Sequence, residues 1–134
     1  MTFLDSNIFV YSVDVRDPRK QKIAKSIVMS ALKSGDFVIS VQVLNEFANV
    51  SLRKLGKRPD ETKSFLSMLR QIRTVNLVPE WTTKAVDIMA QYGLQFYDSL
   101  LLAAAEANGC DEILTEDLAE GQIYSGVRAV NPFK

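Results

Sequence analysis

The sequence of 134 residues contains no histidine and a single cysteine, Cys110. Without histidine, Ser-His-Asp and Cys-His catalysis are impossible, and nearly every zinc-hydrolase arrangement is excluded as well. One cysteine cannot form an intramolecular disulfide, and it fits a reducing compartment. An enzyme with this composition has to perform its chemistry with carboxylates.

The sequence also lacks the glycine loops that cradle phosphate, because neither G-x-G-x-x-G nor G-x-x-x-x-G-K-[ST] occurs in it. It has no apolar run near the roughly 20 residues of a membrane span and no basic, apolar leader at its N-terminus. We therefore expect a cytoplasmic protein that does not enter a membrane. Its 16 basic and 16 acidic residues cancel, so nucleic-acid binding would need local basic clusters.

Short β-rich segments alternate with amphipathic helical segments along the chain. The pattern predicts an apolar helix after Asp98, a helix over 60–72 and five strands, at 2–4, 37–40, 75–78, 112–114 and 127–130. Strands separated mostly by helices indicate βαβ units, and hence a parallel sheet with helices on both faces. Because no linker or repeat interrupts the pattern, residues 1–134 are expected to form one α/β domain.

Acidic residues follow two of the predicted strands. Asp5 comes after the first strand, Asp117 comes shortly after the fourth, and Asp98 opens the apolar helix. Since open parallel sheets bind ligands outside the carboxyl ends of their strands, these three carboxylates are expected to converge. An acidic crevice without a glycine loop suits a hard cation such as Mg²⁺ or Mn²⁺, which usually serves phosphate chemistry.

Each acid also has a purely structural interpretation. Aspartate is a favoured helix N-cap, which would account for Asp5 and Asp98, and Asp117 is placed to cap a short helical turn. Glu46 shares one helical side with other polar residues, as is typical of a solvated face, so spacing alone does not select it.

Several ordered motifs resemble those of PIN-domain ribonucleases, in particular the VapC-like toxins of bacterial and archaeal toxin–antitoxin pairs. The resemblance runs from Phe3 to Phe133 and rests on the segments FLDSNIFVY, VLNEF, YDSLLLAAA, ILTEDL and GVRAVNPF. It implies a single PIN-like domain whose central parallel five-stranded sheet has the order 3-2-1-4-5. The first and fourth strands are then neighbours, which agrees with the convergence expected from the strand ends.

The resemblance also implies a metal site and an activity. By this likeness, one or two Mg²⁺ or Mn²⁺ ions are held by Asp5, Glu46, Asp98 and Asp117, with support from Ser6, Asn7 and Thr115. The implied activity is that of an endoribonuclease that hydrolyses RNA phosphodiester bonds, leaving a 5′-phosphate and a 3′-hydroxyl. A homodimer and a cognate antitoxin are the implied partners. The sequence departs from many relatives at 119–120, which leaves open whether Glu116 or Glu120 assists the site.

Two clusters of basic residues are candidates for contact with RNA. The cluster beyond the helix that carries Glu46 is expected to hold phosphates near the metal, and it consists of Arg53, Lys54, Lys57 and Arg58. A second cluster is interpreted as ordinary exposed surface, and it consists of Arg16, Arg19, Lys20, Lys22 and Lys25.

Three other functions fit a small α/β protein with an acidic pocket. A phosphoreceiver regulatory domain would have adjacent acids after the first strand and a lysine after the last, whereas this chain has Ser6 and Asn7 after Asp5 and Asn131-Pro132 after the last strand. A haloacid-dehalogenase-like phosphatase would require Asp-x-Asp, and Asn7 occupies the second place. A PIN fold used only to bind RNA remains the third alternative, against which the complete set of acids counts.

Overall fold

The computed structural model describes all 134 residues and contains six helices and six strands. A pair of helices lies between each two of the first four strands, and β4, β5 and β6 follow one another. The strands are β1 (Thr2–Leu4), β2 (Phe37–Ser40), β3 (Arg73–Val75), β4 (Glu112–Leu114), β5 (Ile123–Tyr124) and β6 (Val127–Val130). The helices are α1 (Ser6–Val13), α2 (Pro18–Lys33), α3 (Val41–Arg53), α4 (Pro59–Leu69), α5 (Pro79–Tyr92) and α6 (Phe96–Ala107).

The strands form one sheet in the order β3-β2-β1-β4-β6-β5. All neighbouring strands are parallel except β5 and β6, which are antiparallel. The predicted α/β fold and the predicted neighbours of β1 are confirmed. The expected number of five strands was wrong, because β5 adds a sixth strand at one edge.

A tight hairpin creates this additional strand. Ser125 and Gly126 join β5 to β6, with φ angles of 51° and 85°. A two-residue loop with positive φ at both positions has the backbone twist that antiparallel strands require. The Ser-Gly pair marks a turn, but the two-residue strand before it is too short to show an alternating pattern.

The boundary between α4 and β3 differs from the sequence prediction. The helix begins at Pro59, where the Arg58 N–H donates to Glu61 Oε1 at 3.0 Å, and it ends at Leu69 rather than at residue 72. The strand occupies Arg73–Val75 instead of 75–78, in register with β2. Because β3 is an edge strand and partly exposed, its residues lack the apolar pattern that marks a central strand.

The helices form two groups around the sheet. Helix α1 packs against α2 and α3, α3 packs against α4, and α5 packs against α6. Crossovers between parallel strands are right-handed in nearly all proteins, and the strand order reverses direction after β3. We therefore infer that the two groups lie on opposite faces of the sheet. Helix α6 is buried from Ser99 to Ala105, as its apolar sequence predicts. The core contains 25 buried residues, and no helix has the length and apolar character needed to span a membrane.

Candidate metal centre

The carboxylate of Asp5 lies at the carboxyl end of β1, where the chain turns directly into α1. Its Oδ1 accepts a hydrogen bond from the Ser6 N–H at 2.6 Å, so Asp5 is the N-cap of this helix. Its Oδ2 accepts from the Thr115 hydroxyl at 2.7 Å. The side chain is therefore both a helix cap and part of a polar cluster, and the two interpretations of Asp5 do not compete.

Pairing of β1 with β4 brings Thr115 beside Asp5. The two strands are parallel with Leu4 opposite Leu114, and the Asp5 N–H donates to the Leu114 carbonyl at 3.1 Å. The residues that follow the two strands are consequently neighbours, although about 110 positions of sequence separate them. This register is the reason that strand-end reasoning predicts the location of the site.

Three carboxylates converge at this edge of the sheet. Asp5, Asp98 and Asp117 each offer an oxygen, and these oxygens lie within 4.8 Å of one another. Asp98 belongs to the first turn of α6, whose N-cap is Gln95, and Asp117 lies in a loop with no helical turn. The capping interpretations of Asp98 and Asp117 are therefore wrong, and their positions serve the cluster.

Asn7 connects the carboxylates through its side-chain amide. Its Nδ2 lies 3.3 Å from Asp5 Oδ2, 3.1 Å from Asp117 Oδ2 and 3.3 Å from Thr115 Oγ1. An amide nitrogen has two hydrogens, so these three acceptors share two donated protons. The Thr115 hydroxyl also accepts from the Asp117 N–H at 3.1 Å. Asn7 and Thr115 thus hold Asp5 and Asp117 in fixed relative positions.

Glu46 approaches the cluster from α3, although it is outside the set of three closest carboxylates. Gln42 Nε2 lies 3.5 Å from Glu46 Oε2 and donates to the Tyr97 carbonyl at 3.1 Å. Glu46 Oε1 is buried and has no hydrogen-bond partner. The interpretation of Glu46 as part of a solvated face is therefore wrong, because packing of α3 turns this side chain inward.

Burial and repulsion from neighbouring carboxylates make Asp5, Glu46 and Asp98 hard to ionise. Burial, reinforced by the nearby charges of Glu46 and Asp117, raises the pKa of Asp5 from 3.8 to about 7, despite the opposing hydrogen bonds from Thr115 and Ser6. Burial also raises the pKa of Glu46 and of Asp98, and neighbouring carboxylates raise both further. A divalent cation in the cluster would relieve this repulsion and favour the ionised forms.

The donor set fits a hard divalent cation. All the converging ligand atoms are carboxylate oxygens, which is the chemistry that Mg²⁺ and Mn²⁺ prefer over thiolate or imidazole. The unpartnered Glu46 Oε1 is a buried acceptor beside this cluster, where a cation or its bound water would satisfy it. The residues present are therefore compatible with the metal that the sequence suggests.

The two extra glutamates form hydrogen bonds with residues outside the carboxylate cluster. Glu116 accepts hydrogen bonds from the Tyr11 hydroxyl at 2.7 Å and from Lys20 Nζ at 2.9 Å. Glu120 accepts from the Asn131 backbone N–H. Both carboxylates have partners of their own, so neither belongs to the candidate metal centre.

The basic residues are distributed differently from the sequence expectation. In the first cluster, Lys54 lines a groove together with Asp117, whereas Arg53, the last residue of α3, does not. Arg58 pairs with Asp60 at 3.1 Å. Lys57 lines an adjoining cavity. In the second basic cluster, Arg16, Arg19, Lys22 and Lys25 are exposed, as expected. Lys20 differs, because it is bound to Glu116, and Arg19 also donates to the Phe133 carbonyl at 2.5 Å. Sequence reasoning also missed that Arg16 lines the same groove as Lys54.

Comparisons with known proteins agree with the fold. The model of the PIN domain family matches residues 2–119. A toxin–antitoxin complex from Klebsiella pneumoniae is 20% identical, with a TM-score of 0.73 over 98% of both chains. VapC20 from Mycobacterium tuberculosis, described as a toxin that cleaves the sarcin-ricin loop, is 18% identical, with a TM-score of 0.69 over 84% of this chain and 87% of its own. VapBC2 from Rickettsia felis, bound to a DNA fragment of its promoter, is 19% identical, with a TM-score of 0.66 over 96% of both chains. No curated protein matches the sequence.

Proposed function

This chain belongs to the PIN domain family, and on that basis we propose that it is a metal-dependent endoribonuclease of the VapC-like toxin type. Residues 1–134 would form one PIN domain that hydrolyses RNA phosphodiester bonds. The observation that carries the proposal is the convergence of Asp5, Asp98 and Asp117 within 4.8 Å, beside the unpartnered oxygen of Glu46. These four residues would hold Mg²⁺ or Mn²⁺.

The proposed chemistry is hydrolysis of a phosphodiester by water. Bound Mg²⁺ or Mn²⁺ would polarise the scissile phosphate and lower the pKa of the attacking water. Asp5 and Asp117 are already oriented by Asn7 and Thr115, so little reorganisation is needed when the substrate arrives. Ser6 supports Asp5 through its backbone N–H, at the start of a helix whose dipole favours the negative charge.

The comparisons support the toxin assignment and an antitoxin partner. Two of the similar structures are described as a toxin–antitoxin complex and a VapBC pair, and a third is described as a toxin that cleaves the sarcin-ricin loop. We propose that a cognate antitoxin binds this chain and blocks its groove. A homodimer and a cytoplasmic location belong to the same proposal.

Cleavage of a mixed cellular RNA pool tests the proposed activity. Purified, antitoxin-free protein is incubated with Mg²⁺, with Mn²⁺ or with EDTA, and Asp98→Asn is compared with Asp87→Asn. Both variants neutralise one aspartate, but Asp87 is exposed on α5 and belongs to no acidic cluster. We expect metal-dependent cleavage by the wild type and by Asp87→Asn, and none by Asp98→Asn.

A folded wild type that leaves every RNA intact with either metal would contradict the proposal. If that protein still bound RNA, the alternative of a non-catalytic PIN-fold binding module would replace it. If it bound Mg²⁺ but no RNA, a regulatory role like that of a phosphoreceiver domain would gain support instead.

A further inference from the structure

One groove is lined both by Asp117 of the candidate metal centre and by two basic side chains. Its volume is about 330 Å³, and its walls include Asn7 and Asp117 together with Arg16 and Lys54. Arg16 comes from the loop between α1 and α2, and Lys54 follows the last residue of α3. Residues from two distant parts of the sequence therefore place positive charge beside the acidic cluster.

The basic side chains lie between this groove and a second cavity. The second cavity has a volume of about 240 Å³, shares Arg16 and Lys54 with the groove, and adds Lys57. None of the four carboxylates of the metal centre lines it. A path that leaves the metal centre through the groove thus passes Arg16 and Lys54 and then reaches Lys57.

Asp14 holds the guanidinium of Arg16 in place. Arg16 Nε donates to Asp14 Oδ1 and Nη2 donates to Oδ2, each at 2.9 Å, and the Arg16 backbone N–H donates to Oδ1 at 3.0 Å. The Asp14 side chain is 9% exposed, whereas that of Arg16 is 70% exposed. These bonds use two of the five guanidinium hydrogens, so the exposed side retains donors for another ligand.

The charge balance of the second cavity favours an anionic ligand, because three basic residues and one acidic residue line it. Asp14 compensates one positive charge, and neither Lys54 nor Lys57 forms a salt bridge. Other basic residues nearby are already occupied, since Lys20 pairs with Glu116 and Arg58 pairs with Asp60. The lining of the second cavity therefore carries a net positive charge.

We propose that Arg16 and Lys54 bind a backbone phosphate of the RNA next to the phosphate that is cleaved, and that Lys57 extends this contact away from the metal centre. The inference rests on the proposed nuclease function, because it assumes that the scissile phosphate occupies the carboxylate cluster. Arg16 supplies a pre-oriented planar donor, and Lys54 supplies a mobile charge. Such contacts position the RNA strand and do not read its bases.

Affinity for a fluorescein-labelled RNA oligonucleotide tests the inference without requiring cleavage. Fluorescence anisotropy is measured with Mg²⁺ in an Asp98→Asn background, which prevents loss of the probe, over a series of salt concentrations. We expect Arg16→Gln and Lys54→Gln each to weaken binding about fivefold and to reduce the slope of log affinity against log salt by about 0.7.

The residues chosen as matched controls lie near the amino ends of the strands, on the side of the sheet opposite the metal centre. Arg128 pairs with the first residue of β4, and Lys33 ends α2 shortly before β2 begins, so both are remote from the carboxyl ends of the strands. Arg128→Gln and Lys33→Gln should leave the affinity and the salt slope unchanged. In the cleavage-competent background, the two control variants should hydrolyse bis(p-nitrophenyl) phosphate at the wild-type rate, because this small diester needs only the metal centre.

The outcomes separate this inference from the proposed function. RNA cleavage by the wild type, combined with control-like affinity and salt slope for Arg16→Gln and Lys54→Gln, would overturn the phosphate contact and leave the nuclease intact. If those two variants lost affinity for a purified antitoxin instead, the basic pair would belong to a protein interface, and the inference would again fail. Weakened RNA binding by both variants without any wild-type cleavage would support the contact and reject the nuclease.

Discussion

Lys20 Nζ lies 2.9 Å from Glu116 Oε2, which joins α2 to the segment that carries Asp117. The same ammonium lies 3.2 Å from the Tyr11 hydroxyl and 4.6 Å from the centre of the Tyr11 ring. Both charged side chains are about one-quarter exposed, so solvent screens this pair less than a fully exposed one. The interaction fixes the residue immediately before one of the site carboxylates.

Loss of this ion pair should reduce both stability and activity. We expect Lys20→Met to lower the free energy of unfolding by about 1 kcal/mol, because Glu116 loses its charged partner. RNA cleavage should fall through kcat, since Asp117 becomes less firmly placed. Urea unfolding and cleavage kinetics measure the two effects. Lys22→Met, on an exposed position of the same helix, should change neither, and equal behaviour of the two variants would contradict the assigned role.

The raised pKa of Asp5 predicts that the metal-free protein loses stability as the pH rises. Because its pKa is about 7 in the folded protein and 3.8 ordinarily, the folded protein retains a proton that the unfolded chain releases. The contribution of this proton to the stability of the fold is fully present below about pH 4 and is lost as the pH rises through 7. In EDTA, Asp5→Asn should therefore become more stable relative to the wild type between pH 4 and pH 8, as measured by thermal unfolding.

Magnesium should reverse this trend in the wild type. Cation binding requires ionised carboxylates, so the increase in Tm caused by Mg²⁺ should be larger at pH 8 than at pH 5.5. With 10 mM Mg²⁺ and an assumed dissociation constant of about 1 mM, the stabilisation at pH 8 is about 1.4 kcal/mol. An equal increase at both pH values, or an equal increase in Asp5→Asn, would contradict the assignment of Asp5 to the metal centre.

The Thr115 hydroxyl should control the pH range over which the metal binds. It donates to Asp5 Oδ2 at 2.7 Å, and this hydrogen bond lowers the pKa of Asp5 against the effect of burial. In Thr115→Val the pKa of Asp5 should rise further, so Mg²⁺-induced stabilisation should begin at higher pH and RNA cleavage at pH 7 should fall. Thr115→Ser retains a hydroxyl and should keep the wild-type pH profile. Identical profiles for valine and serine would show that the hydroxyl has no such role.

The hairpin glycine offers a test of backbone conformation alone. Gly126 has a φ of 85°, and a Cβ added there would meet no atom within 4 Å. We expect Gly126→Ala to cost about 1 kcal/mol in urea unfolding because of its left-handed backbone. Gly35→Ala is the matched control, since Gly35 also has open space but no positive φ. A loss of stability as large in Gly35→Ala would show that backbone conformation is not the cause.

The sequence was sufficient to predict the positions of Asp5 and Asp117 but not that of Glu46. The two aspartates follow strands, and pairing of parallel strands determines where their ends meet. The direction of Glu46 depends on how α3 packs against the rest of the protein, which helical spacing does not specify. Its inclusion among the candidates depended on the family resemblance.

Features formed by short segments, or by segments distant in the sequence, could not be predicted from the sequence either. Strand β5 has only two residues, so it shows no alternating pattern. Strand β3 is partly exposed and lacks an apolar pattern, so its position was predicted incorrectly. The proximity of Arg16 to Lys54 arises from packing between a loop and the end of a helix. Such contacts follow from the complete fold and have no local signature.

The pairing of β1 with β4 also determines when the site first exists during synthesis. Asp5 leaves the ribosome well before Thr115 and Asp117, which are added more than 100 residues later. Until β4 pairs with β1, no pair of site residues from the two ends of the chain can meet. The acidic centre would therefore be assembled only once nearly the whole domain had emerged from the ribosome.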